Sequence, residues 1–295
     1  MTRSHSPLVL VGYGDIARRL AERFPERDIV AVARHRPEMP PAHRGRWTGL
    51  AVDLDDGTAL PDTATPPEAV WVYLAPPPRQ GTTDSRVSRW LGSATPTPAT
   101  VIYIGTTGVY GDHQGAWVDE ATPPSPRHDR GRRRLDAERQ FTDWCGQRNI
   151  PLTCLRVTGI YACDRLPLER IRAGAPVPAG DEAPWSNRIH ADDLADIIAR
   201  LVEQVDEGTP VTGVFNVADN HPAPVSEIYR QVARHFRLPP PPKASLATVL
   251  ARSSPMAREF LSESRRIDAS AIQQALDWQP RYPDIAATLA DCPGD

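Results

Sequence analysis

The sequence predicts an α/β chain: a doubly wound parallel sheet with a smaller C-terminal substrate lobe. Two observations carry that expectation. Short apolar runs, readable as strands buried on both faces, alternate with stretches of helical periodicity. The first run, Leu8 to Val11, ends in Gly12-Tyr13-Gly14-Asp15-Ile16-Ala17, a G-x-G-x-x-A turn. Behind it Ile16, Ala17, Leu20, Ala21 and Phe24 recur at helical spacing, so a helix starts at the glycines. Strand, glycine turn and helix open a Rossmann-type dinucleotide-binding unit.

The residue types of the turn suit a pyrophosphate. Gly12 permits a tight turn, Gly14 puts no side chain between backbone and phosphate, and Ala17 lets the helix pack close to the strand. Free N–H groups and the dipole at the helix start, at Asp15 and Ile16, favour the phosphate charge. The alternative is an ordinary glycine turn, and the flanking elements speak against it.

Asp28 to Ala33 reads as the second strand and ends in Arg34-His35-Arg36. An acidic residue there would hold the ribose hydroxyls of NAD, whereas Arg34 suits the extra phosphate of NADP. NADP is therefore expected in preference to NAD; the alternative for Arg34 is a solvated basic loop. Leu50 to Val52 reads as the third strand, running into Asp53-Leu54-Asp55. Asp53 can reach an adenine amino group or cap the next turn. The fourth strand, Ala69 to Leu74, ends in Ala75-Pro76-Pro77-Pro78, and three prolines force a turn at the carboxyl edge of the sheet. Ligands of doubly wound sheets bind at that edge, so Leu54, Leu74, Ala75 and Pro76 join the expected cofactor wall. Asp84 to Leu91 reads as a short helix and the following A-T-P-T-P-A-T as a surface loop. The fifth strand, Thr100 to Ile104, leads into G-T-T-G-V-Y-G-D, residues 105 to 112. Its Thr106, Thr107 and Tyr110 place hydroxyls where the nicotinamide half of a cofactor would lie.

Five motifs then occur in order: G-Y-G-D-I-A, T-T-G-V-Y-G-D, L-R-V-T-G-I-Y (155 to 161), R-I-H-A-D-D-L-A (188 to 195) and V-F-N-V-A-D (214 to 219). Together they resemble the extended short-chain dehydrogenase/reductase superfamily, in its NAD-dependent epimerase/dehydratase group. S-E-S-R-R-I-D and W-Q-P-R-Y-P (262 to 268, 278 to 283) narrow the resemblance to the YeeZ-like bacterial branch. The resemblance implies that Thr106 is the active-site hydroxyl, touching cofactor and substrate. It also implies substrate contacts for Thr107, for Arg165 in the segment after Tyr161, whose alternative is an ordinary surface salt bridge, and for Arg266 (or its neighbour Arg265).

The superfamily's Tyr-x-x-x-Lys is missing. By register Arg130 stands at the tyrosine and Arg134 at the lysine. No tyrosine lies between Tyr110 and Tyr161, and Lys243 is the sole lysine. A phenol normally exchanges a proton while hydride moves, and arginine does not deprotonate in proteins. Arg134 keeps a donor role toward the cofactor. Tyr110 is the conservative stand-in for the acid–base; its alternative is a structural tyrosine.

A helix from Arg132 to Arg148 turns Ala137, Phe141, Trp144 and Cys145 to one face, and 151–157 form the sixth strand. Pro176 to Pro184 reads as a loop. His190, Asp192 and Asp193 read as a capped helix start rather than a metal or acid–base cluster, and no metal is expected. Val214 to Val217 returns to the sheet, and the segment after His221 opens a further helix. Residues 1–158 and 189–218 are thus expected as the nucleotide-binding domain, and 159–188 and 219–295 as the small lobe.

Composition narrows the classes. The 295 residues carry a net charge of -3, which argues against nucleic-acid or membrane-surface partners. No apolar run approaches the roughly 20 residues of a membrane span. Cys145, Cys154, Cys163 and Cys292 form no C-x-x-C and are expected as buried thiols of a cytoplasmic protein, not a disulfide framework. The expected function is that of an NAD(P)-binding oxidoreductase or epimerase acting on a small sugar-like or anionic substrate, with the oligomeric state left open. The alternative is a catalytically degenerate NAD(P)-binding sensor or regulatory protein.

Overall fold

The computed structural model describes residues 5–56, 60–93 and 97–293. Part of the expected surface loop, residues 94–96, lies outside them. The first strands are β1 (Leu8–Val11), β2 (Ile29–Ala33), β3 (Trp47–Ala51), β4 (Val70–Tyr73) and β5 (Thr100–Ile104). They are followed by β6 (Trp117–Val118), β7 (Leu152–Val157), β8 (Gly159–Tyr161), β9 (Val177–Pro178) and β10 (Trp185–Ser186). The last are β11 (Arg188–His190), β12 (Gly213–Val217), β13 (Ala223–Pro224), β14 (Lys243–Ala244) and β15 (Arg266–Ile267). Helices α1 (Asp15–Arg23), α2 (Ser85–Ser93), α3 (Asp129–Gly146), α4 (Leu168–Arg172) and α5 (Ala191–Asp206) lie between them. The C-terminal helices are α6 (Val225–His235), α7 (Leu246–Ala251), α8 (Pro255–Leu261), α9 (Ser270–Ala275) and α10 (Ile285–Asp291).

Seven strands form one sheet in the order β12-β7-β5-β4-β1-β2-β3. The pairings β1–β2, β2–β3, β1–β4, β4–β5 and β5–β7 are parallel. β1 and β4 are buried along their whole length, which is why they read as unbroken apolar runs. The chain runs outward through β2 and β3, then returns to place β4 on the other side of β1. The order therefore reverses between β1 and β4, the position where such sheets open a crevice at their carboxyl ends.

Two elements differ from the sequence reading. The third strand is Trp47–Ala51, not Leu50 to Val52, and pairs residue by residue with Ile29–Ala33. It is an edge strand with mostly part-exposed side chains, so no apolar run marked its beginning. The expected loop 176–184 contains β9, which pairs with Lys243–Ala244; a two-residue strand has no periodicity to read.

The chain divides into two compact units. Unit 1 comprises Met1–Val109, Asp129–Arg156 and Leu194–Phe215; unit 2 comprises Tyr110–His128, Val157–Asp193 and Asn216–Asp295. Segment 110–128, expected in the nucleotide-binding domain, thus belongs to unit 2, tied there by β6 pairing with β15. The core of unit 1 is aromatic: Trp71 stacks on Trp144 at 5.6 Å and meets Trp90 edge-on at 5.5 Å, beside Tyr73, Tyr103 and Phe141. Unit 2 packs Tyr161, Ile171, Ile228, Val232, Ile285 and Leu289 into its own core.

In that core the expectation of four free thiols is corrected. Cys163 and Cys292, 129 positions apart, form a disulfide, while Cys145 and Cys154 are buried thiols. Packing of α10 against the turn after β8 brings the pair together, and nothing in the local spacing announces it.

Candidate functional site

At the carboxyl ends of β1, β2 and β4, unit 1 encloses a cavity of about 350 Å³. Gly12 and Gly14 form its floor, and they do so for different reasons. Gly12 has φ +91°, and a Cβ there would lie 2.4 Å from Ala75 N, so only glycine fits between β1 and the chain leaving β4. At Gly14 a Cβ would meet nothing within 4 Å: that side is open space. Gly14 is also the N-cap of α1 and offers no side-chain cap. Open space, bare backbone and a helix N-terminus together fit the pyrophosphate of a dinucleotide.

Of the residues expected in the cofactor wall, Gly12, Gly14, Arg34, Asp53, Leu54, Ala75 and Pro76 line this cavity. Arg34 is exposed at the end of β2, next to His35, which also lines the cavity. Asp15, Ile16 and Leu74 do not line it with side chains. The Asp15 carboxylate is held by Arg18 at 3.0 Å and Arg19 at 3.1 Å, Ile16 is buried, and Leu74 N–H donates to Val11 O at 2.7 Å.

Sequence reasoning missed Tyr13 and Arg86. The Tyr13 hydroxyl is buried and unpartnered among the described residues, and burial pushes its pKa up to about 12. Its ring meets Trp47 edge-on at 5.5 Å, so it is a packing wall of the cavity. Arg86 reaches back from α2 to donate to Pro76 O at 2.8 Å and, through Nε, to Asp55 Oδ1 at 2.7 Å. That ion pair holds the Asp55 carboxyl below its usual range. Arg86 stands 31 positions from Asp55 in a chain rich in arginine, and no local pattern sets it apart.

Past β5, Thr106 is part-exposed and its Oγ accepts the Gly108 N–H at 3.2 Å. Thr107 is buried in the short turn Thr107–Val109, so its hydroxyl is not presented to solvent. Tyr110 is fully buried in unit 2, and its hydroxyl donates to Asn216 Oδ1 at 2.8 Å. The structural role therefore replaces the expected acid–base role: a sealed phenol already donating to an amide has no solvent route for its proton.

The first two turns of α3 carry Arg130 and Arg134, the two arginines that the resemblance sets at the Tyr-x-x-x-Lys positions. Arg130 is exposed. Arg134 Nη1 reaches Ala75 O at 3.4 Å, and its guanidinium lies over the Tyr103 ring at 5.7 Å. Arg134 thus faces the chain segment that walls the cavity. One turn further, Glu138 is buried against Arg156, 2.8 Å from its Nη2.

In unit 2, Arg165 is exposed on the turn Cys163–Arg165. Arg266, expected at substrate, donates from Nε to Gly115 O at 2.7 Å. It lies 5.2 Å from the Trp117 ring centre and 5.0 Å from that of Trp185, and so serves the packing of this surface. Asp193 accepts the amides of Arg281 and Tyr282 at 3.0 and 2.9 Å, and His190 Nδ1 accepts the Asp192 amide at 3.2 Å. These residues hold the chain together around the start of α5. No helix among the described residues is long and apolar enough to cross a membrane.

Comparison with known proteins adds to this geometry. A sequence model described as the NAD dependent epimerase/dehydratase family matches residues 8–218. Among solved structures, a functionally unknown conserved protein from Silicibacter pomeroyi is 29% identical, covers 96% of each chain and superposes with a TM-score of 0.77. A putative NAD-dependent epimerase/dehydratase from Methylobacillus flagellatus is 24% identical over 97% of each chain, with a TM-score of 0.67. MoeE5, solved in complex with UDP-glucose and NAD, is 21% identical over 97% of each chain, with a TM-score of 0.71. The last two likenesses concern the fold alone. No curated protein matches the chain.

Proposed function

The chain belongs to the NAD-dependent epimerase/dehydratase family, and from that premise we propose that it binds NADP in preference to NAD and acts on a small sugar-like or anionic substrate by hydride transfer. The observation that carries the proposal is the Gly12–Gly14 turn, which lines a cavity of about 350 Å³ at the reversal of strand order and has open space at Gly14. NADP is favoured because the end of β2 presents Arg34 and His35, and no carboxylate, to the cavity.

The bound cofactor supplies a hydride acceptor or donor. This chain's residues would hold it: the start of α1 would take the pyrophosphate, Arg34 the ribose phosphate, and Arg134 would offer donors at the segment after β4. Thr106 orients a substrate hydroxyl or carbonyl. The proton that accompanies hydride transfer would pass to or from water, since a guanidinium does not act as a general acid or base and Tyr110 is sealed. Titration of NADP and NAD followed by oxidation of NADPH with sugar-nucleotide and carbonyl compounds tests the reading. Tight NADP binding with turnover supports it, and failure to bind either cofactor overturns it.

Tyr110 favours a second reading, in which the site binds the dinucleotide without turning it over. A buried phenol bonded to Asn216 and arginines at both family positions leave no side chain with the usual proton role. Cofactor binding without turnover of any substrate tried selects this reading.

A further inference from the structure

Two arginines line the cavity of unit 1, and they stand in opposite states. Arg34, exposed at the end of β2, makes no side-chain hydrogen bond or ion pair among the described residues. Arg86, in the first turn of α2, is engaged on two sides. Its Nε donates to Asp55 Oδ1 at 2.7 Å and its Nη2 donates to Asp55 Oδ2, the fork geometry of a bidentate pair. Its Nη1 donates to Pro76 O at 2.8 Å. Both oxygens of Asp55 and all three nitrogens of Arg86 are thereby taken.

The surrounding elements hold the pair in place. Asp84 Oδ1 accepts the Arg86 and Val87 amides at 3.1 and 3.2 Å, fixing the turn from which Arg86 reaches. The Asp84 amide donates to Asp136 Oδ2 of α3 at 2.7 Å, so that turn is tied to a second helix. Arg89, one turn along α2, donates to Leu54 O at 2.8 Å. Asp53 Oδ1 accepts the Asp55 amide at 2.9 Å. The turn 53–55 thus folds one carboxylate onto its own backbone and gives the other to α2.

The grip on Asp55 matters because of what else stands near it. The cations that face its carboxylate are Arg86, Arg34 and Arg89. A released Asp55 would attract the Arg34 guanidinium and repel a phosphate brought to it. With Arg86 holding both oxygens, the Arg34 charge is left to the cavity.

We propose that Arg86 is a specificity-determining positioning residue, which holds Asp55 off Arg34 and so keeps Arg34 open for the ribose phosphate of NADP. The proposal rests on the cofactor choice proposed above. Arg86 is not itself the phosphate ligand, because its fork is on Asp55 and its remaining arm on Pro76. NAD carries no phosphate on that ribose, so the pair acts on the difference between the two affinities.

The test titrates NADP and NAD against the full chain at constant low ionic strength, with no substrate present. Arg86→Met should lower NADP affinity by about tenfold and NAD affinity by less than about twofold. Adding Asp55→Asn to Arg86→Met should restore NADP affinity to within about threefold of the wild type, because the carboxylate that competes for Arg34 is then gone. Asp55→Asn alone should bind NADP at least as tightly as the wild type. Arg86→Gln, which keeps a donor for Pro76 O, serves with the same expectations if the methionine variant does not fold. No loss in the Arg86 variant, equal loss of both cofactors, or no recovery in the double variant would make Arg86 only a wall of the cavity and overturn the proposal. Arg34→Ala separates that failure from a deeper one. If it still abolishes an NADP preference, the cofactor reading stands and the role of Arg86 alone falls. A wild type without any NADP preference overturns the cofactor choice and this proposal with it.

Discussion

The turn before α1 and the first two turns of α3 are both helix entrances of unit 1, and they place their chemistry in different parts of the chain. Before α1 the backbone supplies it: Gly12 and Gly14 contribute only amides and empty space. At α3 the resemblance sets two particular side chains, a phenol and an ammonium, at the positions where this chain has Arg130 and Arg134. A backbone site persists as long as the glycines do, whereas a side-chain site is lost with two substitutions. On the function proposed above, the difference accounts for a chain that has the glycine turn without the Tyr-x-x-x-Lys pair.

Substitutions can break this contrast. The largest effect is expected for Gly12→Ala, since its Cβ would lie 2.4 Å from Ala75 N at φ +91°. Thermal unfolding should show a loss above about 4 kcal/mol, or no folded protein. A variant melting like the wild type would mean that the close passage of β1 and the β4 exit is not a constraint. Gly14→Leu should fold, because a Cβ there meets nothing within 4 Å, yet lose dinucleotide affinity by roughly 100-fold or more as the side chain fills the phosphate space. Retained affinity in the folded variant would take the pyrophosphate away from this turn.

Arg34→Ala sharpens the comparison on the side-chain part of the cavity. It should weaken NADP by roughly 1.5–3 kcal/mol and NAD far less. Equal losses would return Arg34 to the solvated loop. In α3, Glu138 carries a pKa raised by burial, partly offset by Arg156. A raised acid is more protonated in the folded chain than in the unfolded one. Its contribution is fully present below the unfolded pKa and declines as pH rises through the folded value. Urea unfolding across that window should show a shallower pH dependence in Glu138→Gln. An unchanged slope would assign the pH dependence elsewhere. The smallest effect belongs to Arg130→Ala, within about 0.5 kcal/mol in stability and with turnover nearly intact, because an exposed guanidinium has no proton role to lose. A large kcat defect would make Arg130 an electrostatic clamp on an anionic substrate.

Legibility in the sequence followed burial. β1, β4 and β5 are buried on both faces and announced themselves as apolar runs, and the turn after β1 was legible because glycine has few other reasons to recur at that spacing. β3 was misread at its start because an edge strand leaves most of its side chains part-exposed. Within the cavity, Arg34, Asp53, Leu54, Ala75 and Pro76 were found by their place at strand ends, a local property. Arg86 was not, because it reaches the site by a side chain that folds back from the first turn of α2.

Tyr110 and the cysteines mark the boundary most clearly. From the sequence Tyr110 is the nearest phenol to the missing acid–base, and only packing shows it buried against Asn216, 106 positions away. Cys163 and Cys292 carry no common motif, and only the docking of α10 joins them. Local sequence by itself determined the alternation of strands and helices and the backbone turn for the dinucleotide, because hydrophobic periodicity and glycine conformation act over a few residues. Tertiary structure alone decided which hydroxyls are sealed, which arginines find partners and which thiols meet, because those depend on neighbours that the chain supplies from far away along its length.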